Sequence, residues 1–229
     1  MKSLFKGELP QLVLFDLDGT LLDSVPDLAL AVDRMLTAMG MPEAGEDRVR
    51  NWVGNGAQML VKRALVGLDS PVGSEPELAL ALFDRAFPLF LQHYSACCSE
   101  KSKLYSGAIE LLTALQSAQV EMGLITNKPI SFTETLMDDF GLNDYFPIIL
   151  GGDSLTEKKP HPLPLLYAME KAGVGPEKTL MVGDSRSDIE AAQAAGCKVV
   201  AVTYGYNHGE PVARYAPDLI VDNLAELIN

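Results

Sequence analysis

Two aspartates follow an apolar run near the start of the chain, and carboxylates at that spacing can hold a metal ion. Leu12–Phe15 is apolar throughout, as expected of a strand covered on both faces, and Asp16 and Asp18 come directly after it. Crowded carboxylates disfavour each other's ionised form unless a cation lies between them, and oxygen-rich sites suit Mg²⁺. Because Asp-x-Asp-Gly is also typical of a plain turn, other residues must support a Mg²⁺ site.

Three later segments carry the polar groups that a phosphoryl ligand needs. Thr126 and Asn127 offer a hydroxyl and an amide, Lys159 offers an ammonium group, and Asp184 and Asp188 offer two more carboxylates. Taken singly, each is typical of a turn or a solvated surface. Gathered at one sheet edge, they would combine a metal site, neutral donors and a cation, which together neutralise and orient a phosphoryl group.

Alternating strand and helix patterns predict a fold that would gather these groups. After the first strand, apolar runs predict strands near residues 120–126, 146–152, 179–184, 198–203 and 218–221. Amphipathic spacing predicts helices near residues 107–118, 131–140, 162–173 and 187–195. This alternation is typical of an α/β fold, here a doubly wound, Rossmann-like parallel sheet whose strands end at one edge.

Residues 24–98 interrupt the alternation with helical patterns alone. We therefore predict an α/β core of residues 1–23 and 99–229, with an inserted α-helical cap domain of residues 24–98. Because the insert leaves the core directly after the first strand, it is expected to lie over the strand tips as a lid.

Composition narrows the class of ligand. The 229 residues carry a formal net charge of −13, which disfavours nucleic acid and anionic membranes as partners. No apolar run is long enough to span a bilayer, and three cysteines, two of them adjacent, indicate reduced thiols in a cytoplasmic protein. A small phosphorylated metabolite remains the expected partner, and its site must supply positive charge locally.

Four motifs together resemble those of the haloacid dehalogenase superfamily. They are Asp16-Leu17-Asp18-Gly19-Thr20, Thr126-Asn127-Lys128, Lys159-Pro160 and Gly183-Asp184 with Asp188. Their order and spacing cover nearly the whole chain, and the helical insert resembles the α-helical cap of that superfamily. The resemblance implies a phosphatase that works through an aspartyl-phosphate.

The resemblance also implies roles for individual residues. Asp16 would be the nucleophile, and Asp18 would protonate the leaving alkoxide and then take a proton from the hydrolytic water. Mg²⁺ would be held by the Asp16 carboxylate, the Asp18 backbone carbonyl and Asp184. An acid at position 18 favours phosphate esters over carbon–halogen bonds, because a halide leaves without a proton.

The remaining motif residues would handle charge and orientation. By the same resemblance, Thr126 and the Asn127 backbone would bind phosphoryl oxygens, and Lys159 would balance the charge on the nucleophile and the phosphoryl group. Lys159 is preferred to Lys158 because it adjoins Pro160, as in the family motif. Asp188 would act through water or steady Lys159.

Further details are similar to the phosphoglycolate phosphatases within the superfamily. They are the segments Trp52-Val53-Gly54-Asn55-Gly56, Gly151-Gly152-Asp153, Lys159-Pro160-His161-Pro162 and Thr203-Tyr204-Gly205-Tyr206-Asn207. This likeness implies 2-phosphoglycolate as substrate. A sugar phosphomutase, a pyrophosphatase, a phosphonoacetaldehyde hydrolase and a non-enzymatic phospho-aspartate switch remain alternatives.

Three further residues have open roles. His161 lies between two prolines and could contact substrate, although no other His or Cys lies near it in sequence. Arg50 and Arg186 could each bind a substrate carboxylate or be surface charges. The cap residues that select the substrate and the oligomeric state are not specified by the sequence.

Overall fold

The structure is a computed structural model that describes residues 1–66 and 77–228. The chain forms two compact units, the first of Met1–Asp23 and Leu104–Asn229 and the second of Ser24–Lys103. Part of the predicted insert, residues 67–76, lies outside the described residues. None of the helices in the described ranges has the length and apolar character needed to cross a membrane.

The strands, in chain order, are short and mostly apolar. Their bounds are β1 Leu12–Phe15, β2 Leu22–Asp23, β3 Lys103–Leu104, β4 Glu121–Ile125, β5 Ile148–Leu150, β6 Thr179–Gly183, β7 Lys198–Val202 and β8 Leu219–Val221. The helices are α1 Val25–Ala38, α2 Glu46–Arg50, α3 Ala57–Val66, α4 Glu77–Ser95, α5 Ala108–Ser117, α6 Ile130–Asp139, α7 Leu163–Ala172 and α8 Arg186–Ala195.

Six strands of the first unit form one parallel sheet in the order β5-β4-β1-β6-β7-β8. β1 is central, with β4 on one side and β6 on the other. The short strands β2 and β3 form a separate two-stranded sheet. The predicted doubly wound parallel sheet is therefore confirmed.

Helices cover both faces of the sheet, which is why β1 is apolar at every position. Val13 and Phe15 belong to the core on one face, with α5 and α6, whereas Leu12 and Leu14 belong to the core on the other, with α7 and α8. All four β1 side chains are fully buried. Side chains alternate between faces along a strand, so a strand buried on both sides loses its alternating polar pattern.

Strand register places the predicted site residues at one edge of the sheet. Phe15, the last residue of β1, is level with Leu124 of β4 and Val182 of β6. The Asp16 N–H donates to the Val182 carbonyl at 3.0 Å, so the ladder continues one step beyond β1. Asp16, Thr126 and Asp184 thus all follow the carboxyl ends of adjacent strands.

The second unit is built from α1 to α4. Asp27 of α1 is fully buried, and its carboxylate accepts hydrogen bonds from the Lys101 N–H, the Ser102 N–H and the Ser102 hydroxyl at 2.6–3.0 Å. The carboxylate thus ties the start of this unit to its end. The glycine-rich segment 51–56 separates α2 from α3, and the Arg63 guanidinium donates to the Trp52 carbonyl at 2.5 Å.

Candidate active site

Asp16 and Lys159 form a buried ion pair at the end of β1. The Lys159 Nζ lies 3.0 Å from Asp16 Oδ1. It also donates to Asp188 Oδ1 at 2.6 Å and to the Ile125 carbonyl at 2.5 Å. Lys159 is 2 % exposed, and these three oxygens hold its ammonium in one position. Of the two adjacent lysines, Lys159 is therefore the one that reaches Asp16.

Three buried carboxylates meet beside this lysine. Asp16, Asp184 and Asp188 each present an oxygen, and these oxygens lie within 4.8 Å of one another. Thr20 Oγ1 donates to Asp184 Oδ1 at 3.2 Å, and the Tyr206 N–H donates to Asp184 Oδ2. These two donors orient the Asp184 carboxylate toward the other two.

Asp188 is held by the first turn of α8. Its Oδ2 accepts hydrogen bonds from the Ser185 hydroxyl at 2.7 Å and the Ser185 N–H at 3.1 Å, while Oδ1 binds Lys159. This is a capping box, in which the residue at the third helical position bonds back to the N-cap. Both carboxylate oxygens are thus engaged, which fits a residue that steadies Lys159 better than a direct metal ligand.

Burial disfavours the ionised form of the carboxyl groups in this cluster. Desolvation, reinforced by Asp188 and Asp18 and opposed by Lys159, raises the pKa of Asp16 to about 7. Desolvation, with Asp188 and Asp16, also raises the pKa of Asp184 well above its ordinary value. Burial lowers the pKa of Lys159, but the Asp16 and Asp188 carboxylates outweigh it and the net shift is upward.

The residues present fit a divalent cation. Asp16 Oδ1 is buried and has no hydrogen-bond partner of good geometry among the described residues, although Lys159 lies 3.0 Å away. Four carboxylates (Asp16, Asp18, Asp184, Asp188) and two ammonium groups (Lys128, Lys159) leave a formal charge of −2. A hard, oxygen-binding dication such as Mg²⁺ would offset that charge and oppose both the desolvation and the carboxylate repulsion that raise the two pKa values.

Asp18 has a partner that the sequence analysis missed. The Lys128 Nζ donates to Asp18 Oδ1 at 3.0 Å and to Oδ2 at 3.1 Å, so the ammonium faces both carboxylate oxygens. Lys128 is 5 % exposed. Its place directly after Thr126 and Asn127 was the available signal, but a lysine in a loop gives no sign of its partner.

Thr126 and Asn127 lie at the end of β4 and are both buried. The Thr126 N–H donates to the Leu150 carbonyl at 2.9 Å, and Thr126 Oγ1 accepts from the Lys128 N–H at 3.2 Å. The Asn127 side-chain amide donates to the Lys159 carbonyl at 2.9 Å. The Asn127 side chain therefore positions the lysine loop, which agrees with an anion-binding role for the Asn127 backbone rather than its side chain.

Two glycines leave room for Asp184. A methyl group at Gly19, where φ is +86°, would lie 2.2 Å from Asp184 Oδ2, and one at Gly205 would lie 2.2 Å from Asp184 Cβ. Any larger residue at either position would displace the carboxylate.

Tyrosines from the loop after β7 brace the turn that carries the two aspartates. The Tyr204 hydroxyl donates to the Thr20 carbonyl at 2.8 Å, and the Tyr206 hydroxyl donates to Asp23. The ring of Tyr204 contacts Tyr105, with centroids 4.3 Å apart. In the sequence this loop stands out only through its family likeness, and no local pattern indicates a role for its tyrosines.

The three residues with open roles have local partners. His161 is exposed, and its Nδ1 accepts from the Leu163 N–H at 3.2 Å, at the start of α7. Arg50 pairs with Glu46 at 2.9 Å, and Arg186 pairs with Glu190 at 2.7 Å through a side chain that is 59 % exposed. The two arginine pairs have the one-turn spacing typical of helix surfaces.

Comparisons with known proteins agree with this geometry. The haloacid dehalogenase-like hydrolase family matches residues 13–202. A phosphoglycolate phosphatase of Pseudomonas putida is 50 % identical over 99 % of this chain and 82 % of its own length, and one of Nitrosococcus oceani is 47 % identical over 96 % of each chain. The crystal structure of a predicted phosphoglycolate phosphatase from Haemophilus somnus has a TM-score of 0.88 and 40 % identity, covering 95 % of this chain and 96 % of that one. The chain therefore belongs to the haloacid dehalogenase-like hydrolase family, and the resemblance to phosphatases of that superfamily predicted from its motifs is confirmed.

Proposed function

We propose that this chain is a Mg²⁺-dependent phosphomonoester hydrolase that converts 2-phosphoglycolate to glycolate and phosphate through an aspartyl-phosphate. The observation that carries the proposal is the position of the Asp16 carboxylate. It is buried, its Oδ1 lies 3.0 Å from the Lys159 Nζ, and Asp184 lies beside it. A carboxylate that is desolvated yet charge-compensated is a suitable nucleophile toward phosphorus.

The first step exchanges one P–O bond for another. An Asp16 carboxylate oxygen attacks phosphorus, the ester P–O bond breaks, and Asp18 gives its proton to the departing alkoxide. Lys159 offsets negative charge on Asp16 and on the phosphoryl oxygens, while Thr126 Oγ1 and the Asn127 N–H orient those oxygens.

The second step releases phosphate and restores the chain. Asp18, now ionised, takes a proton from a water molecule that attacks phosphorus, and the bond between phosphorus and Asp16 breaks. Lys128 holds both oxygens of Asp18, which keeps this carboxylate in one orientation for both proton transfers.

Mg²⁺ would be held by the Asp16 carboxylate, the Asp18 backbone carbonyl and Asp184. When bound, it supplies Lewis-acid neutralisation of phosphoryl charge. Thr20 and the Tyr206 N–H hold the Asp184 carboxylate in place for it.

The substrate assignment is supported by the relatives named phosphoglycolate phosphatases, which are about half identical to this chain over nearly its full length. A cytoplasmic location is also proposed, supported by three buried cysteine thiols.

Phosphate release from a panel of substrates tests the proposal. We expect Mg²⁺-dependent turnover of 2-phosphoglycolate with a higher kcat/KM than for a sugar phosphate, pyrophosphate or phosphonoacetaldehyde, and loss of turnover with EDTA. Asp16→Asn should lower kcat at least about 1,000-fold, since an amide cannot attack phosphorus. Asp218→Asn, at the opposite edge of the sheet, is the matched control; full activity in Asp16→Asn would refute the mechanism.

A further inference from the structure

Lys128 is a buried lysine beside the proposed acid. Its side chain is 3 % exposed, and its Nζ contacts both carboxylate oxygens of Asp18 at 3.0 and 3.1 Å. Because Asp18 is proposed to protonate the ester oxygen, the leaving group must lie next to Asp18. The Lys128 ammonium therefore lies on the leaving-group side of the phosphoryl site.

The leaving group of the proposed substrate is itself an anion. In 2-phosphoglycolate a carboxylate is attached through a single methylene to the ester oxygen that Asp18 would protonate. A carboxylate brought into this acidic, largely buried site, beside Asp16, Asp184 and Asp188 and in a chain of formal charge −13, is desolvated and repelled unless a cation compensates it. Hydrolysis of this substrate thus requires a positive charge close to Asp18.

Two other cations of the first unit are held by different carboxylates. Lys159 is held by Asp16, Asp188 and the Ile125 carbonyl. Arg186 is paired with Glu190 on the surface. Among Lys128, Lys159 and Arg186, only Lys128 contacts Asp18 in the structure.

We propose that Lys128 is a specificity-determining residue that binds the carboxylate of 2-phosphoglycolate while it remains paired with Asp18. An ammonium group carries three N–H donors, so it can donate to an Asp18 oxygen and to a substrate carboxylate at the same time. This inference rests on the proposed function and narrows it: the site selects phosphate esters of 2-hydroxy acids over esters of neutral alcohols.

Two esters that differ only at that carboxylate test the assignment. 2-Hydroxyethyl phosphate replaces the carboxylate of 2-phosphoglycolate with a neutral hydroxymethyl group. We expect Lys128→Met to lower kcat/KM for 2-phosphoglycolate about 100-fold more than for 2-hydroxyethyl phosphate, the scale expected when one partner of a desolvated charge pair is truncated. Lys128→Gln, which can still hydrogen-bond Asp18 without the charge, should lose the same preference.

Binding without turnover separates recognition from damage to the acid. In an Asp16→Asn background with Mg²⁺ present, isothermal titration calorimetry gives the Kd of each intact ester. Adding Lys128→Met should weaken binding of 2-phosphoglycolate about 100-fold and leave 2-hydroxyethyl phosphate within about threefold. Lys198→Met removes a lysine paired with Asp218 at 2.6 Å at the amino end of β7, and this control should leave the ratio unchanged.

The two possible failures have different signatures. A wild-type preference for 2-phosphoglycolate that survives in both Lys128 variants would overturn the inference alone, because Lys128 would then act only through Asp18. A wild-type enzyme with no preference between the two esters would overturn the proposed substrate together with the inference.

Discussion

At the scale of single residues, the positive side chains of the site compensate only part of its negative charge. Asp16 is proposed to attack as an anion, yet burial and its acidic neighbours raise its pKa to about 7. The Lys159 ammonium lowers the pKa of Asp16 but does not cancel these two effects. A divalent cation would thus do two things at once, because it would keep the nucleophile ionised and neutralise the phosphoryl oxygens.

The raised pKa of Asp16 predicts how stability depends on pH. Between its ordinary value of 3.8 and about 7, the folded chain binds more protons at Asp16 than the unfolded chain does, so the free energy of unfolding contributed by this group falls as pH rises. Without divalent cations, we expect the midpoint temperature of thermal unfolding to decrease as the pH is raised from 5 to 8. Mg²⁺ should raise this temperature more at pH 8 than at pH 5. Thermal unfolding with EDTA or Mg²⁺ measures both effects. Asp16→Asn should reduce the pH dependence, and an unchanged profile in that variant would contradict the assignment.

A substitution at Gly205 is expected to weaken Mg²⁺ binding, an effect that can be distinguished from a loss of stability. In Gly205→Ala the new methyl would lie 2.2 Å from Asp184 Cβ and displace that carboxylate. We expect the apparent Mg²⁺ affinity to fall about 10- to 100-fold, as for other disturbances around metal ligands. The matched control is Gly173→Ala, where φ is +66° and the added methyl meets no atom within 4 Å. This control should cost about 1 kcal/mol of stability and leave Mg²⁺ affinity unchanged; the reverse pattern would exclude the crowding explanation.

At the scale of elements, the sequence predicts whatever a periodic pattern can encode. The six sheet strands and the helices α5 to α8 lie within about two residues of their predicted positions, because apolar runs and helical spacing are local signals. β2 and β3 were missed because two residues cannot show a period. Lys128, Tyr204 and Tyr206 were missed because their partners are fixed only by the folded arrangement, and no local pattern records them.

In the second unit, substitution of Asp27 is expected to cause an unusually large loss in the free energy of unfolding. Asp27→Ala would leave the donors of Lys101 and Ser102 without their carboxylate, and we expect a loss of about 3 kcal/mol in the free energy of unfolding. Asp33→Ala in the same helix is the control, because the half-buried Asp33 accepts, within the described ranges, from two backbone N–H groups, those of Ala44 and Gly45; it should cost about 1 kcal/mol. Urea unfolding measures both, and equal losses would show that Asp27 is not a special anchor.

At the scale of the whole molecule, the first unit has a complete core of its own. Its central sheet is covered on both faces, and the predicted catalytic groups all belong to it. The second unit begins directly after β2 and ends at Lys103, the first residue of β3, and these two strands neighbour each other in the small sheet. The proposed catalytic groups thus belong to the first unit, and we propose that the second unit contributes to substrate selection.

Removal of the second unit tests that separation. When a short Gly-Ser linker replaces Ser24–Lys103, we expect the first unit to fold, because both apolar cores remain. It should retain some Mg²⁺-dependent cleavage of p-nitrophenyl phosphate and show a weaker preference for 2-phosphoglycolate, because the insert is predicted to act as a lid that restricts the substrates admitted. Circular dichroism checks the fold and steady-state kinetics the preference. An undiminished preference in this variant would show that the insert plays no part in selection.

The central position of β1 has a consequence for synthesis of the protein. Leu12 pairs with Glu121 on one side and with Thr179 on the other, so the first sheet strand to leave the ribosome is flanked by strands made much later. At roughly 5–20 residues per second, this apolar segment waits on the order of ten seconds for its neighbours. During that interval the nascent chain exposes an unpaired apolar segment, and we expect a ribosome-associated chaperone to bind it.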